Sequence, residues 1–122
     1  MFTVNLTAGT FEQTIRSNDI VLVDFWAAWC GPCRMFAPVY EKASDANADI
    51  VFGKVDTEAE QVLAAQADIT SIPTLMVFRE KVLVFSRPGA LSAPALDELI
   101  GAVRALDMDD VRAQIAAQQL VS

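Results

Sequence analysis

Apolar and polar residues follow one another along this chain in two different periods. Ile20 to Trp26 is apolar at every position except Asp24, which reads as a central strand covered on both faces. Phe2 to Leu6 is short and β-prone, an edge-type strand. Ile50 to Val55 forms another buried-looking strand, with Lys54 as its polar intruder. Leu75 to Phe78 and Val82 to Phe85 flank the polar stretch Arg79-Glu80-Lys81, which predicts a hairpin. Between these runs the spacing becomes helical. Met35, Phe36, Val39, Tyr40 and Ala43 fall on one side of a helix from Cys33 to about Ala48, with a kink expected at Pro38. Thr10 with Gln13, and Thr57 with Glu60, read as capping boxes that open two shorter helices. The first turns Phe11 and Ile15 inward; the second turns Val62, Leu63 and Gln66 or Ala65 inward. Ser92 caps a helix with Leu96, Leu99, Ile100 and Val103 on its core side. Asp107 caps a last helix with a weak stripe of Met108, Val111 and Ile115.

Composition narrows the class. A chain of 122 residues, 53% of them apolar and 20% charged, supports one ordinary globular core. The net charge of −7 opposes binding to nucleic acid or anionic lipid, so partners are expected to be proteins. The N-terminus has no basic region followed by an apolar run, and no apolar stretch approaches the ~20 residues of a membrane span. A cytoplasmic setting is expected, where thiols are kept reduced and a C-x-x-C is more often catalytic than structural.

The chain holds two cysteines, Cys30 and Cys33, separated by Gly31 and Pro32. They follow the apolar strand directly and stand where a helix begins. Unpaired backbone N–H groups and the helix dipole there favour negative charge, so Cys30 is the better nucleophile. Pro32 suits the first helical turn, and Cys33, one turn inside, is better placed to resolve a mixed disulfide. Two plainer readings stay open: a structural disulfide, or half of a zinc site. So short a loop constrains little chain entropy, and zinc lacks two ligands in a chain without histidine.

The segment Asp24-Phe25-Trp26-Ala27-Ala28-Trp29-Cys30-Gly31-Pro32-Cys33, with Ser71-Ile72-Pro73-Thr74 some forty residues on, resembles the thioredoxin family. The match in element order runs from about Phe2 to about Leu106. It implies an α/β fold, a central mixed sheet of about five strands with helices on both faces. It divides the chain into a thioredoxin domain, residues 1–106, and a C-terminal extension, 107–122, expected to be helical. It further implies Cys30 as nucleophile, Cys33 as resolving thiol, Asp24 as buried proton acceptor and Lys54 as a modulator of Asp24. Trp29, Gly31, Pro32, Ile72, Pro73, Gly89 and Ala90 become the substrate-binding surface, with Ile72–Pro73 cis. Lys81 and Ser71 stand where the family commonly has glycine.

The implied activity is reduction of protein disulfides, with no bound cofactor and with reducing equivalents from NADPH through a thioredoxin reductase. A monomer is expected. Two alternatives remain: a disulfide oxidant or isomerase, and a redox-inert binding subunit. Gly-Pro between the cysteines resembles the reducing members.

Overall fold

In the computed structural model, which describes residues 2–121, the apolar run becomes the middle strand of a five-stranded sheet. Met1 and Ser122, the outer ends of the two expected segments, lie outside the described residues. The elements are β1 (Thr3–Asn5), α1 (Phe11–Ser17), β2 (Ile20–Trp26), α2 (Gly31–Ala46) and β3 (Val51–Asp56). Then come α3 (Gln61–Gln66), β4 (Thr74–Arg79), β5 (Val82–Pro88), α4 (Ala93–Arg104) and α5 (Met108–Val121).

The strands lie in the order β1-β3-β2-β4-β5. β1, β3 and β2 are parallel, while β4 runs antiparallel to β2 and β5 antiparallel to β4. This is the expected mixed sheet. Successive strand residues point to opposite faces, so β2 feeds two cores. Ile20 and Leu22 pack with Phe36, Tyr40, Phe52, Leu96 and Ile100 beneath α2 and α4. Val21, Val23 and Phe25 pack with Leu6, Ile15, Val55, Leu63 and Met76 on the α1 and α3 side. The same period puts Asp24 on the α2 face, one step beyond Leu22.

Four local expectations are corrected. Thr10 precedes α1 without capping it, because its hydroxyl accepts the Thr7 N–H at 3.0 Å. Thr57 and Glu60 form no capping box. The Thr57 hydroxyl donates to the Trp26 carbonyl at 3.0 Å, and Glu60 Oε1 accepts the Ala8 N–H at 2.7 Å. Met35 is not a core residue; the buried stripe of α2 is Cys33, Phe36, Tyr40, Ala43 and Ser44, which leaves Met35 facing out at 75% exposure. Val62 is likewise exposed, as are Ala65 and Gln66, and Leu63 with Ala64 forms the buried side of α3.

The remaining caps are made as read. Ser92 Oγ accepts the Ala95 N–H at 3.3 Å, and Asp107 Oδ1 accepts those of Asp109 and Asp110 at 3.1 and 3.2 Å. The hairpin turn is made without glycine: Glu80 and Lys81 take φ of 49° and 71°. Left-handed backbone at both central residues matches the strand twist of a two-residue hairpin. α5 is tied down at its start. Met108 is buried, Arg112 pairs with Glu80 at 2.7 Å, and Arg79 donates to the carbonyls of Val103 and Leu106 at 2.8 and 2.7 Å. Among the described residues, no helix is long and apolar enough to cross a membrane.

Candidate active site

β2 ends at Trp26, and the chain turns through Ala27-Ala28-Trp29 to reach Cys30, the N-cap of α2. Cys30 and Cys33 are joined as a disulfide. Cys30 Sγ accepts the backbone N–H of Cys33 at 3.2 Å, so the sulfur occupies the position a capping oxygen takes elsewhere. In the dithiol state, the same N–H and the helix dipole favour a thiolate on Cys30. Pro32 lies within the first turn, where its missing N–H leaves no gap.

Cys30 and Cys33 are both largely covered, and they cluster with Ala27, Trp26 and Ile72. Ile72 comes from the loop before β4, and its carbonyl oxygen stands 3.7 Å from Cys30 Sγ. The Ile72–Pro73 peptide is cis and Pro73 is buried. The Thr74 hydroxyl donates to the Ser71 carbonyl at 2.6 Å, closing this loop, so serine serves at the position noted for glycine. Gly89 lies at the end of β5 with φ 103°, a conformation open chiefly to glycine, and its N–H donates to the Pro73 carbonyl at 2.7 Å. The expected surface residues are thus brought together: Cys30, Ile72, Pro73 and Gly89 form a connected chain of contacts. Gly31 and Pro32 open α2, and exposed Ala90 follows Gly89.

Asp24 is 1% exposed, and neither carboxylate oxygen has a hydrogen-bond partner. Burial pushes its pKa from 3.8 up to about 7, opposed by the charge of Lys54. Lys54 faces Asp24 in the β2–β3 register and is half-buried, its Nζ 5.0 Å over the Trp26 ring. Arg34 is exposed on α2. Tyr40, one of the fully buried side chains, donates to the Gly53 carbonyl at 2.8 Å, and its hydroxyl is pushed well above its usual range by burial and then by Asp24 and Glu41. Asp24 therefore faces the side of α2 that carries Cys33 and Tyr40. Tyr40 was legible only as core; its place beside the carboxylate had no sequence signal.

A family model described as Thioredoxin matches residues 2–102. The chain belongs to the thioredoxin family. It is 60% identical over 117 residues to a protein named putative thioredoxin 2 from Streptomyces coelicolor, covering 96% of this chain and 87% of that one. It is 47% identical over 78 residues to a thioredoxin of Alicyclobacillus acidocaldarius, covering 63% of this chain and 74% of that one. Among solved structures it is similar to a Plasmodium falciparum thioredoxin, with TM-score 0.75 and 36% identity over 82% of this chain and 97% of that one. The thioredoxin family carries out thiol–disulfide exchange, and with a paired Cys30–Cys33 this member is a protein-disulfide oxidoreductase of that type. Its substrates are proteins that contain disulfides.

Trp29 is 67% exposed, and its Nε1–H donates to Glu58 Oε1 at 2.6 Å. Glu58 was missed. It lies 29 residues along the chain in a turn, and no spacing rule points to it.

Proposed function

We propose that this protein reduces protein disulfides through the following division of labour. The Cys30 thiolate attacks one sulfur of a substrate disulfide. A Cys30–substrate bond forms, the substrate S–S bond breaks, and the leaving sulfur departs as a thiolate. Cys33 then gives its proton to Asp24 and attacks Cys30 Sγ. The mixed disulfide breaks, the second substrate sulfur leaves, and the Cys30–Cys33 disulfide remains. Lys54 tunes the charge of Asp24. Trp29, Gly31, Pro32, Ile72, Pro73, Gly89 and Ala90 receive the substrate chain, with the Ile72 backbone pairing to it as a short added strand. Two electrons from NADPH, delivered by a thioredoxin reductase, restore the dithiol, so no cofactor need be bound. The protein acts as a monomer in the cytoplasm.

The observation that carries this reading is the sulfur of Cys30 at the N-cap of α2, receiving the Cys33 N–H. Asp24 supports the second step: a buried carboxyl with a pKa of about 7 takes a proton readily near neutral pH. The decisive experiment equilibrates the pair with glutathione and follows turnover on an oxidised protein. A potential below the glutathione couple, NADPH consumption with a thioredoxin reductase, and loss of turnover in Cys30→Ser are expected. A potential above that couple would make the protein an oxidant or isomerase. Wild-type turnover in Cys30→Ser would end the mechanism.

A further inference from the structure

An exposed indole beside a reactive cysteine would ordinarily sample several rotamers. Trp29 is held instead, by the 2.6 Å bond from its Nε1–H to Glu58 Oε1. Glu58 is itself anchored to the sheet. Its backbone N–H donates to Asp56 Oδ1 at 2.9 Å, and Asp56 is the last residue of β3, opposite Trp26 in register. The Thr57 N–H and hydroxyl both donate to the Trp26 carbonyl, at 2.9 and 3.0 Å. The carboxylate that fixes Trp29 therefore stands on the turn that directly follows β3, the strand next to the one that delivers the cysteines.

The fixed indole is one wall of a pocket of about 350 Å³, whose other residues are Thr57, Ala64, Ile69, Thr70, Ser71 and Ile72. Ile72 and Trp29 both adjoin Cys30, so this pocket lies where a side chain near a substrate's disulfide would fall. Its lining carries no charged residue: Trp29, Ala64, Ile69 and Ile72 are apolar, and Thr70 and Ser71 add hydroxyls. The charge bonded to that lining is the carboxylate of Glu58.

We propose that Glu58 is a specificity-determining residue of the exchange reaction, one that selects substrates by the charge flanking their disulfide. It positions the indole so that the pocket receives an apolar side chain. Its carboxylate also favours lysine or arginine, and disfavours aspartate or glutamate, at the substrate residue lying over Trp29. This rests on the disulfide-reductase reading above and names the class of segment that reading accepts: an extended one, apolar beside the cysteine and cationic next to that.

The whole chain is acidic, so a general attraction to basic substrates must be separated from a local one. The test uses a series of oxidised peptides with leucine near the attacked cysteine. Lysine, glutamine or glutamate is placed in turn at each of the two positions on either side. Wild-type protein is expected to favour lysine over glutamate roughly two- to fivefold in kcat/KM at one position, through KM. The ratio should fall toward one in ~1 M salt. Glu58→Lys should reverse the preference at that same position, and Glu58→Gln should abolish it. Asp19→Lys changes net charge as much as Glu58→Lys but lies just before Ile20, at the opposite end of β2; it should leave the ratio in place. A flat wild-type profile, an unchanged ratio in Glu58→Lys, or an equal change in Asp19→Lys would overturn the proposal. Failure of the wild-type protein to reduce any of the peptides would instead overturn the reductase reading, and this inference with it.

Discussion

Asp24 is the residue at which stability and the proposed chemistry conflict. The unfolded chain releases its proton near pH 3.8, whereas the folded protein holds it to about pH 7. Between those values the folded state binds the extra proton, so stability falls as pH rises through the window and levels off above it. A shift of about three units corresponds to about 4 kcal/mol between the two ends. Asp24→Asn keeps the shape and removes the charge, though it leaves an amide buried in the same place. Urea unfolding should show a gain of about 2–4 kcal/mol at pH 8 and little change at pH 4. A gain that did not depend on pH would place the conflict in packing rather than in ionisation. The same variant is expected to slow release of substrate from the mixed disulfide, which rapid mixing with an oxidised peptide measures. A buried carboxyl that lowers stability at neutral pH fits the proton-acceptor role proposed for Asp24.

At the scale of elements, what the sequence made legible depended on where each interaction's partner lies. The β2 run and the cysteine turn were readable because burial on both faces and a helix start each leave a local pattern. Ser92 and Asp107 cap as read because their partners are two or three residues away. Thr10 has its partner just as near, but on the preceding turn rather than in the helix. Glu60 was misread because a partner 52 residues distant takes its carboxylate. Met35 and Val62 were misread because an apolar residue next to a buried one is not itself on the buried arc; the direction of the core fixes that arc. The hairpin turn gives a prediction at this scale. Lys81 takes φ 71° with a side chain that disfavours it, and nothing in the turn requires lysine. Lys81→Gly should raise stability by about 1 kcal/mol, read as a later urea midpoint at constant slope. A lower midpoint would mean that the lysine side chain stabilises the turn by more than its backbone strain.

Across the whole molecule, the sheet separates two poles. β2 enters at Ile20, opposite Arg79, and leaves at Trp26, opposite Asp56, a span of roughly 20 Å at ~3.3 Å per residue. The cysteines and the Ile72–Pro73 loop occupy the exit pole. The hairpin turn, the end of α4 and the start of α5 occupy the entry pole, joined by Arg79, Glu80 and Arg112. The alignment with the Streptomyces coelicolor relative covers 96% of the chain, so at most a few residues fall outside it, and most of α5 is shared. An element so placed is expected to act on stability without reaching the chemistry. Its anchor is Met108, 4% exposed, rather than the solvent-facing Arg112. Met108→Ala should lower unfolding free energy by about 2–3 kcal/mol, toward the small end for buried methionine because one side of the site is a helix that can settle. Arg112→Ala should leave the urea midpoint nearly unchanged. Both variants, assayed well below their melting temperatures, should reduce an oxidised peptide with wild-type kcat/KM. A fall in kcat/KM for Met108→Ala at a temperature where it is fully folded would mean that the two poles are coupled through the sheet. The sheet would then transmit strain along β2 to Cys30, and α5 would belong to the working parts of the enzyme.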